Sequence, residues 1–352
     1  MRARLWPARK RRPAPEAAPV DAVASLVQQR KAAGSRPGQR DDGCRLALVI
    51  EGGGMRGVVG GGMVAALEAR GLVDCFDAVY GTSAGSCAAA YLLAGQALYG
   101  TRIFYENINN PTFLRLGRAL IRRPVMNIDY LIDQVMTRIR PLDTARILAS
   151  PISLTMMATD VADGSAVALT GFSSGEEILT GLRASTRLPL VGGPPVAGPG
   201  GRRLVDGALS MPIAYALAAA EGATHILVLA TRAEKPGIDG GPSRPTVARL
   251  LARHISPAIA EAYMNRPARY YDMVAKLAGP RLPMGAEPHL AVVRPSRRLR
   301  EVRKIERGRG RLLKGANAGW KAVLSWLGEA EPPPFPDLAV RRLRISPISR
   351  RR

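Results

Sequence analysis

Residues Gly81-Thr82-Ser83-Ala84-Gly85 form a G-x-S-x-G sequence, and its flanks decide what it can do. Before it runs "FDAVYG", short and apolar like a buried strand; after it runs "SAGSCAAAYLLAG", a buried helix of small residues. A serine on a tight strand-to-helix turn holds its hydroxyl clear at the top of a sheet, where it can attack a carbonyl. Small neighbours let strand and helix approach closely, and the positive end of the helix points at the site. Ser83 is therefore the candidate nucleophile, and Gly81, Thr82, Ala84 and Gly85 form its elbow. The plainer alternative is a glycine turn with a capping serine.

A glycine-rich loop lies upstream, in "LVIEGGGMRGVVGGG" from Leu48 to Gly62. The spacing of Gly52, Gly54 and Gly57 also reads as G-x-G-x-x-G, a weak signal alone. A dinucleotide site needs an acid at the tip of the second strand. Here that strand ends in Gly-Thr-Ser, with Asp74 and Asp77 before it. A P-loop needs Gly-Lys-Ser/Thr, and Gly57 is followed by Val58-Val59. Acyl transfer instead needs backbone N–H groups aimed at a developing oxyanion, which glycine presents with no Cβ in the way. Gly52, Gly53, Gly54, Met55, Arg56 and Gly57 are the candidate oxyanion loop. Gly53, Gly54 and Met55 are the expected donors, and Arg56 is expected to anchor the loop or add positive potential.

A serine nucleophile needs a base. The three histidines, His225, His254 and His289, sit in no motif. The better candidate is Asp206 in "RRLVDGAL", placed by a strand and followed by the sharp turn Gly207-Ala208. A carboxylate within hydrogen-bond reach of the serine can take its proton when burial raises its pKa.

The elements that must position these groups alternate along the chain. Strand-like runs "RLALVI", "FDAVYG", "PISLTMMATD", "SAVALT" and "THILVLAT" are interspersed with helical patterns such as "VVGGGMVAALEARGL", "SGEEILTGLRAST" and "MPIAYALAAAEGA". Such alternation predicts an α/β fold with a mainly parallel sheet. The expected division is a basic, disordered tail over 1–43 containing one short helix, a catalytic domain over 44–235, a mostly helical extension over 236–331 and a Pro/Arg-rich tail over 332–352.

"EGGGMRG", "GTSAG" and "VDGA", in this order and spacing, resemble the three signatures of patatin-like phospholipases. "RASTRLPLVGGPP" resembles that family's loop before the aspartate strand. The resemblance covers roughly residues 45–235. It implies a three-layer α/β/α sandwich and a Ser–Asp dyad without histidine, with Ser83 as nucleophile, Asp206 as base and residues 52–57 as oxyanion loop. It also implies a carboxylic ester of lipid as substrate and an acyl-serine intermediate. Glu51 departs from the aspartate or other residue many members carry there. The region from about 240 to 330 resembles an extension of some bacterial members and is assigned no chemistry. The alternatives are an esterase or thioesterase of small soluble acyl groups, or a regulatory binding protein on the same fold. No cofactor is expected, and no metal, since the sequence shows no clustered acids and no His/Cys ligand set.

The chain has 352 residues, 47% of them apolar, enough for a substantial core. No charge-free, strongly apolar run is long enough for a transmembrane helix. The N-terminal arginines lead into proline and acid, not the apolar stretch of a secretory leader. Cys44, Cys75 and Cys87 form no C-x-x-C pair, which suits a reducing cytoplasm. Net charge is +23; residues 1–40 carry +8, residues 294–352 carry +12, and the body between is nearly balanced. The basic ends are expected either to be solvated or to touch anionic membrane peripherally. With few aromatics among them, they do not suggest nucleic acid.

Overall fold

The computed structural model describes residues 21–121, 123–233, 243–278, 288–297 and 301–338. Its strands are β1 (Leu46–Ile50), β2 (Ala78–Thr82), β3 (Ser153–Asp160), β4 (Ala166–Leu169), β5 (Val196–Ala197), β6 (Arg203–Asp206), β7 (His225–Leu229) and β8 (His289–Val293). Its helices are α1 (Ala22–Ala32), α2 (Gly57–Ala69), α3 (Ala84–Leu93), α4 (Ala97–Thr101), α5 (Thr144–Leu148), α6 (Gly175–Thr186), α7 (Tyr215–Ala220), α8 (Pro245–His254), α9 (Pro257–Ala278) and α10 (Arg309–Trp326).

β1 shows why the sheet is central. All five side chains of Leu-Ala-Leu-Val-Ile are buried. Leu46, Leu48 and Ile50 enter one apolar cluster, shared with α1, α2, α3, α6 and α10. Ala47 and Val49 enter a second, shared with α7 and α9. Successive strand residues point to opposite faces, so a strand apolar at every position must be covered on both. The result is an α/β/α sandwich around a mostly parallel sheet: β3, β2, β1, β7 and β8 run parallel in that order.

The departure from parallel pairing builds the site. β2 pairs with β3 up to Thr82 opposite Met157. β6 pairs antiparallel with β3 from Ala158, which lies opposite Asp206. β4 overlaps both partners along β3, so β2 and β6 must share the other side of that strand. β6 therefore takes over the edge where β2 leaves it. The residue after Thr82 and the last residue of β6 are brought together by consecutive positions of β3.

The expected boundaries differ from the packing in three places, one of them at 332–338, expected as part of a tail, where Phe335 is buried in the main core and Asp337 pairs with Arg102. Within 1–43, α1 is built into the body: Val23, Leu26 and Val27 are buried in the main core. The buried Arg30 guanidinium bonds Asp42, Asp77 and the carbonyls of Cys44 and Cys75. In the C-terminal region, β8 extends the central sheet beside β7, and α10 lies directly on α2. The outer tail segments, 1–20 and 339–352, lie outside the described residues. Among the described residues no helix is long and apolar enough to cross a membrane.

Candidate active site

Ser83 sits between β2 and α3 with φ 56° and ψ −127°, a conformation costly for a residue with a Cβ and typical of a strained functional turn. The turn is held from several sides. The Ser83 N–H donates to Ser185 Oγ at 3.0 Å, and Ser86 N–H closes onto the Ser83 carbonyl at 2.8 Å. Thr82 Oγ1 donates to the Met211 carbonyl. A side chain on Gly81 would meet the Ser86 backbone, and one on Gly85 would run into the Ile50 carbonyl. Both glycines of the motif are there for close approach.

Asp206 ends β6 and is 1% exposed. Its Oδ2 accepts from Ser83 Oγ at 2.6 Å, and its Oδ1 accepts from the Ala208 N–H at 2.8 Å. Its backbone N–H donates to the Arg187 carbonyl, and its carbonyl accepts from Thr159 Oγ1. Gly207 packs so tightly on the Met157 carbonyl that no side chain fits there. Burial pushes the Asp206 carboxyl up to about 6, against the hydrogen bonds from Ser83 and Ala208 and the charge of Lys304.

The glycine loop passes directly beside Ser83. A Cβ on Gly52 would crowd Ser83 Cβ and the Thr82 carbonyl, and one on Gly57 would strike Ala84. Gly53 and Gly54 take positive φ, 156° and 58°. Their N–H groups make no hydrogen bond among the described residues. Met55 differs from expectation: its N–H donates to the Lys304 carbonyl at 3.0 Å, so it is already engaged. Arg56 is buried and anchors the loop: Nε donates to Thr231 Oγ1, and its other nitrogens lie 3.4 Å from Glu301 and 3.8 Å from Glu51. Burial lowers its pKa, and the Glu51 carboxylate opposes that.

Sequence reasoning missed four supports. Glu51 is the hub of the loop's base: one carboxylate oxygen accepts from the Thr231 N–H and hydroxyl, the other from Tyr270 hydroxyl. Ser185 bridges the elbow to β3 by donating to the Met157 carbonyl. Lys304 holds the loop through its carbonyl. Tyr270 and Lys304 lie over 200 residues from the loop they serve, so no local pattern could connect them. Ser185 stands in "RASTRLPL", the segment that already resembled the family's loop, and was the one legible signal.

Two clefts meet at the pair. On the Ser83 side an apolar cleft of about 660 Å³, its open mouth included, is lined by Cys87, Tyr91, Phe104, Phe113, Met126 and others. On the Asp206 side a second cleft of about 590 Å³ carries Arg56, Arg232, Arg266 and Lys304 with Glu51 and Tyr270. Burial and the neighbouring guanidiniums of Arg56, Arg266 and Arg232 push the Lys304 ammonium down to about 8. No histidine lines either cleft. His225 opens β7 at the opposite end of the sheet and packs on His289, and His254 ends α8. Cys87 is half-buried near the pair, and its thiol is pushed up to about 12 by loss of solvent and by the Asp206 charge, so it stays protonated.

Residues 48–217 match the family model described as "Patatin-like phospholipase". No curated protein sequence matches the chain. Among solved structures, VipD from Legionella pneumophila is similar at 14% identity, over 81% of this chain and 67% of its own, with a TM-score of 0.39. Human GIVD cytosolic phospholipase A2, in complex with methyl γ-linolenyl fluorophosphonate, is similar at 12% identity over 88% and 63%, TM-score 0.39. ExoU in complex with SpcU from Pseudomonas aeruginosa is similar at 14% over 66% and 53%, TM-score 0.26. The chain thus spans between 53% and 67% of the length of these structures. Scores of this size leave the functional reading to the family match and the site.

Proposed function

We propose that this chain, whose residues 48–217 belong to the patatin-like phospholipase family, is a serine acyl hydrolase of lipid carboxylic esters. The observation that carries the reading is the 2.6 Å contact of Ser83 Oγ with a buried carboxylate at the junction of an apolar and a cationic cleft. In this reading the acyl chain lies in the apolar cleft and the alcohol portion, with any phosphate, faces the cationic one.

Asp206 Oδ2 takes the proton as Ser83 Oγ attacks the acyl carbonyl. The tetrahedral oxyanion accepts hydrogen bonds from the Gly53 and Gly54 N–H groups, which have no other partner among the described residues. The intermediate collapses, the C–O bond to the alcohol breaks, and Asp206 returns its proton to that oxygen. Acyl-Ser83 remains. Asp206 then takes a proton from water, hydroxide attacks the ester carbon, and the fatty acid leaves as Ser83 regains its proton. A carboxylate with a pKa near 6 is a competent base at neutral pH and a competent acid when protonated.

The test is a panel of phospholipids, acylglycerols and short soluble esters, assayed with the wild type, Ser83→Ala and Asp206→Asn. Both variants are expected to lose about 1,000-fold or more in kcat, the order seen when one member of a catalytic unit is removed. A fluorophosphonate is expected to label Ser83 in the wild type and nothing in Ser83→Ala. Hydrolysis retained by Ser83→Ala, or label on another serine, would end this reading.

A further inference from the structure

We infer that residues 113–127 form a flap that docks the enzyme onto an anionic lipid surface with the mouth of the apolar cleft facing the bilayer. This rests on the reading of the substrate as lipid. The flap is an antiparallel excursion closed at its base. Leu114 bridges Met126, Arg115 N–H donates to the Val125 carbonyl, and Asn127 N–H donates to the Phe113 carbonyl. Phe113 and Met126, at that base, line the same cleft as Ser83. The Met126 N–H also donates to the Val191 carbonyl, fixing the base to the loop before the aspartate strand.

The tip reverses the chemistry of the base. Leu116 and Ile121 are 62% and 65% exposed, among the most exposed large apolar side chains described. Arginines stand beside them at 115, 118 and 123, and the sequence from 107 to 128 contains no acid. Elsewhere in the body arginines pair with carboxylates, as Arg30, Arg102, Arg140, Arg183 and Arg187 do. Arg115, Arg118 and Arg123 form no ion pair among the described residues; the Arg118 guanidinium donates to the Thr112 carbonyl.

Exposed aliphatics beside unpaired guanidiniums match one surface best. Leucine and isoleucine enter the acyl boundary while the arginines stay at the phosphates. Nucleic acid would use the charge but not the aliphatics. Phe113 and Met126 make the base of the flap part of the cleft wall, so docking the tip brings the cleft against the bilayer that an acyl chain leaves.

The test uses the full-length chain carrying Ser83→Ala, so that vesicles stay intact, on phosphatidylcholine vesicles with and without phosphatidylglycerol. Leu116→Ser/Ile121→Ser and Arg115→Gln/Arg118→Gln/Arg123→Gln are each added. Each set is expected to weaken binding to the anionic vesicles about tenfold or more. The arginine set should also abolish the preference for phosphatidylglycerol and most of the salt sensitivity. In chains with Ser83 intact, turnover of a short soluble ester should not change, which separates docking from folding and chemistry. Unchanged vesicle affinity in both sets overturns the inference, including the case in which the same changes dissolve a dimer and mark the flap as a contact between copies. Binding is read without turnover, so a wild type that hydrolyses no lipid and a flap that binds none are separate results.

Discussion

At the scale of single residues, the proton on Asp206 is expected to govern stability and, in the proposed mechanism, rate. An ordinary aspartate titrates near 3.8, and burial raises this one to about 6. Between those values the folded chain keeps a proton that the unfolded chain has released, so stability is greatest below pH 4 from this group and falls as pH rises to about 6. Two pH units correspond to about 3 kcal/mol. Asp206→Asn has no such proton to lose. Urea unfolding at pH 4 and pH 7 should show the variant gaining about that much relative to the wild type at the higher pH. A constant difference would mean that the carboxyl is not desolvated. The rate moves the other way: kcat/KM on a soluble ester should fall below about pH 6 as the base takes up a proton. Lys304 tunes that limb, since its charge favours the carboxylate. Lys304→Met should move the acid limb to higher pH, whereas a limb that stays in place would separate Lys304 from the base.

At the scale of elements, backbones meet through glycine. The run "VVGGGMVAALEARGL" was legible as a helix from its spacing. What Gly62 does was not, because its partner lies some 250 residues away on α10. A Cβ on Gly62 would run into the Ala316 carbonyl, and one on Gly319 into the Val59 carbonyl. Gly319→Ala should therefore push α10 off α2 and lower stability by about 1–3 kcal/mol, as overpacking does. Gly310, on the same helix with nothing within 4 Å of its would-be Cβ, supplies the control. Gly310→Ala should be neutral or stabilise by up to about 1 kcal/mol. Equal effects of the two on thermal unfolding would refute the close contact. The same distinction separates what could be read of the site from what could not. Ser83 and Asp206 each carry a local signature, since the tight turns around them demand glycine at fixed offsets. The Met55 donor was misjudged, and Lys304, Tyr270 and the role of Glu51 went unread, because those contacts are made by segments far apart in the chain.

At the scale of the whole molecule, the boundary between tail and body decides which truncations can report on function. Charge suggested a tail reaching to residue 43, yet the aliphatic side of α1 is buried. Burying Val23, Leu26 and Val27 contributes about 5–9 kcal/mol at about 1.5–3 kcal/mol each. Losing Arg30 from Asp42 and Asp77 adds to the cost, because a partly buried carboxylate is left without its cation. Together these approach the whole stability of an ordinary domain, about 5–15 kcal/mol. A chain starting at residue 21 should thus melt within a few degrees of the full chain, while one starting at residue 41 should unfold or aggregate. A chain ending at residue 235 should fail likewise, since it strips β8 from the sheet edge and α10 from α2. Any contribution of the basic N-terminal end to lipid binding is therefore measurable only in the chain starting at 21. There, loss of anionic-vesicle binding with an unchanged melting temperature would assign a share to residues 1–20. Binding equal to that of the full chain would leave the described body as its source. A cooperative melting transition in the chain starting at 41, near that of the full chain, would show instead that α1 is dispensable and that the body begins at β1.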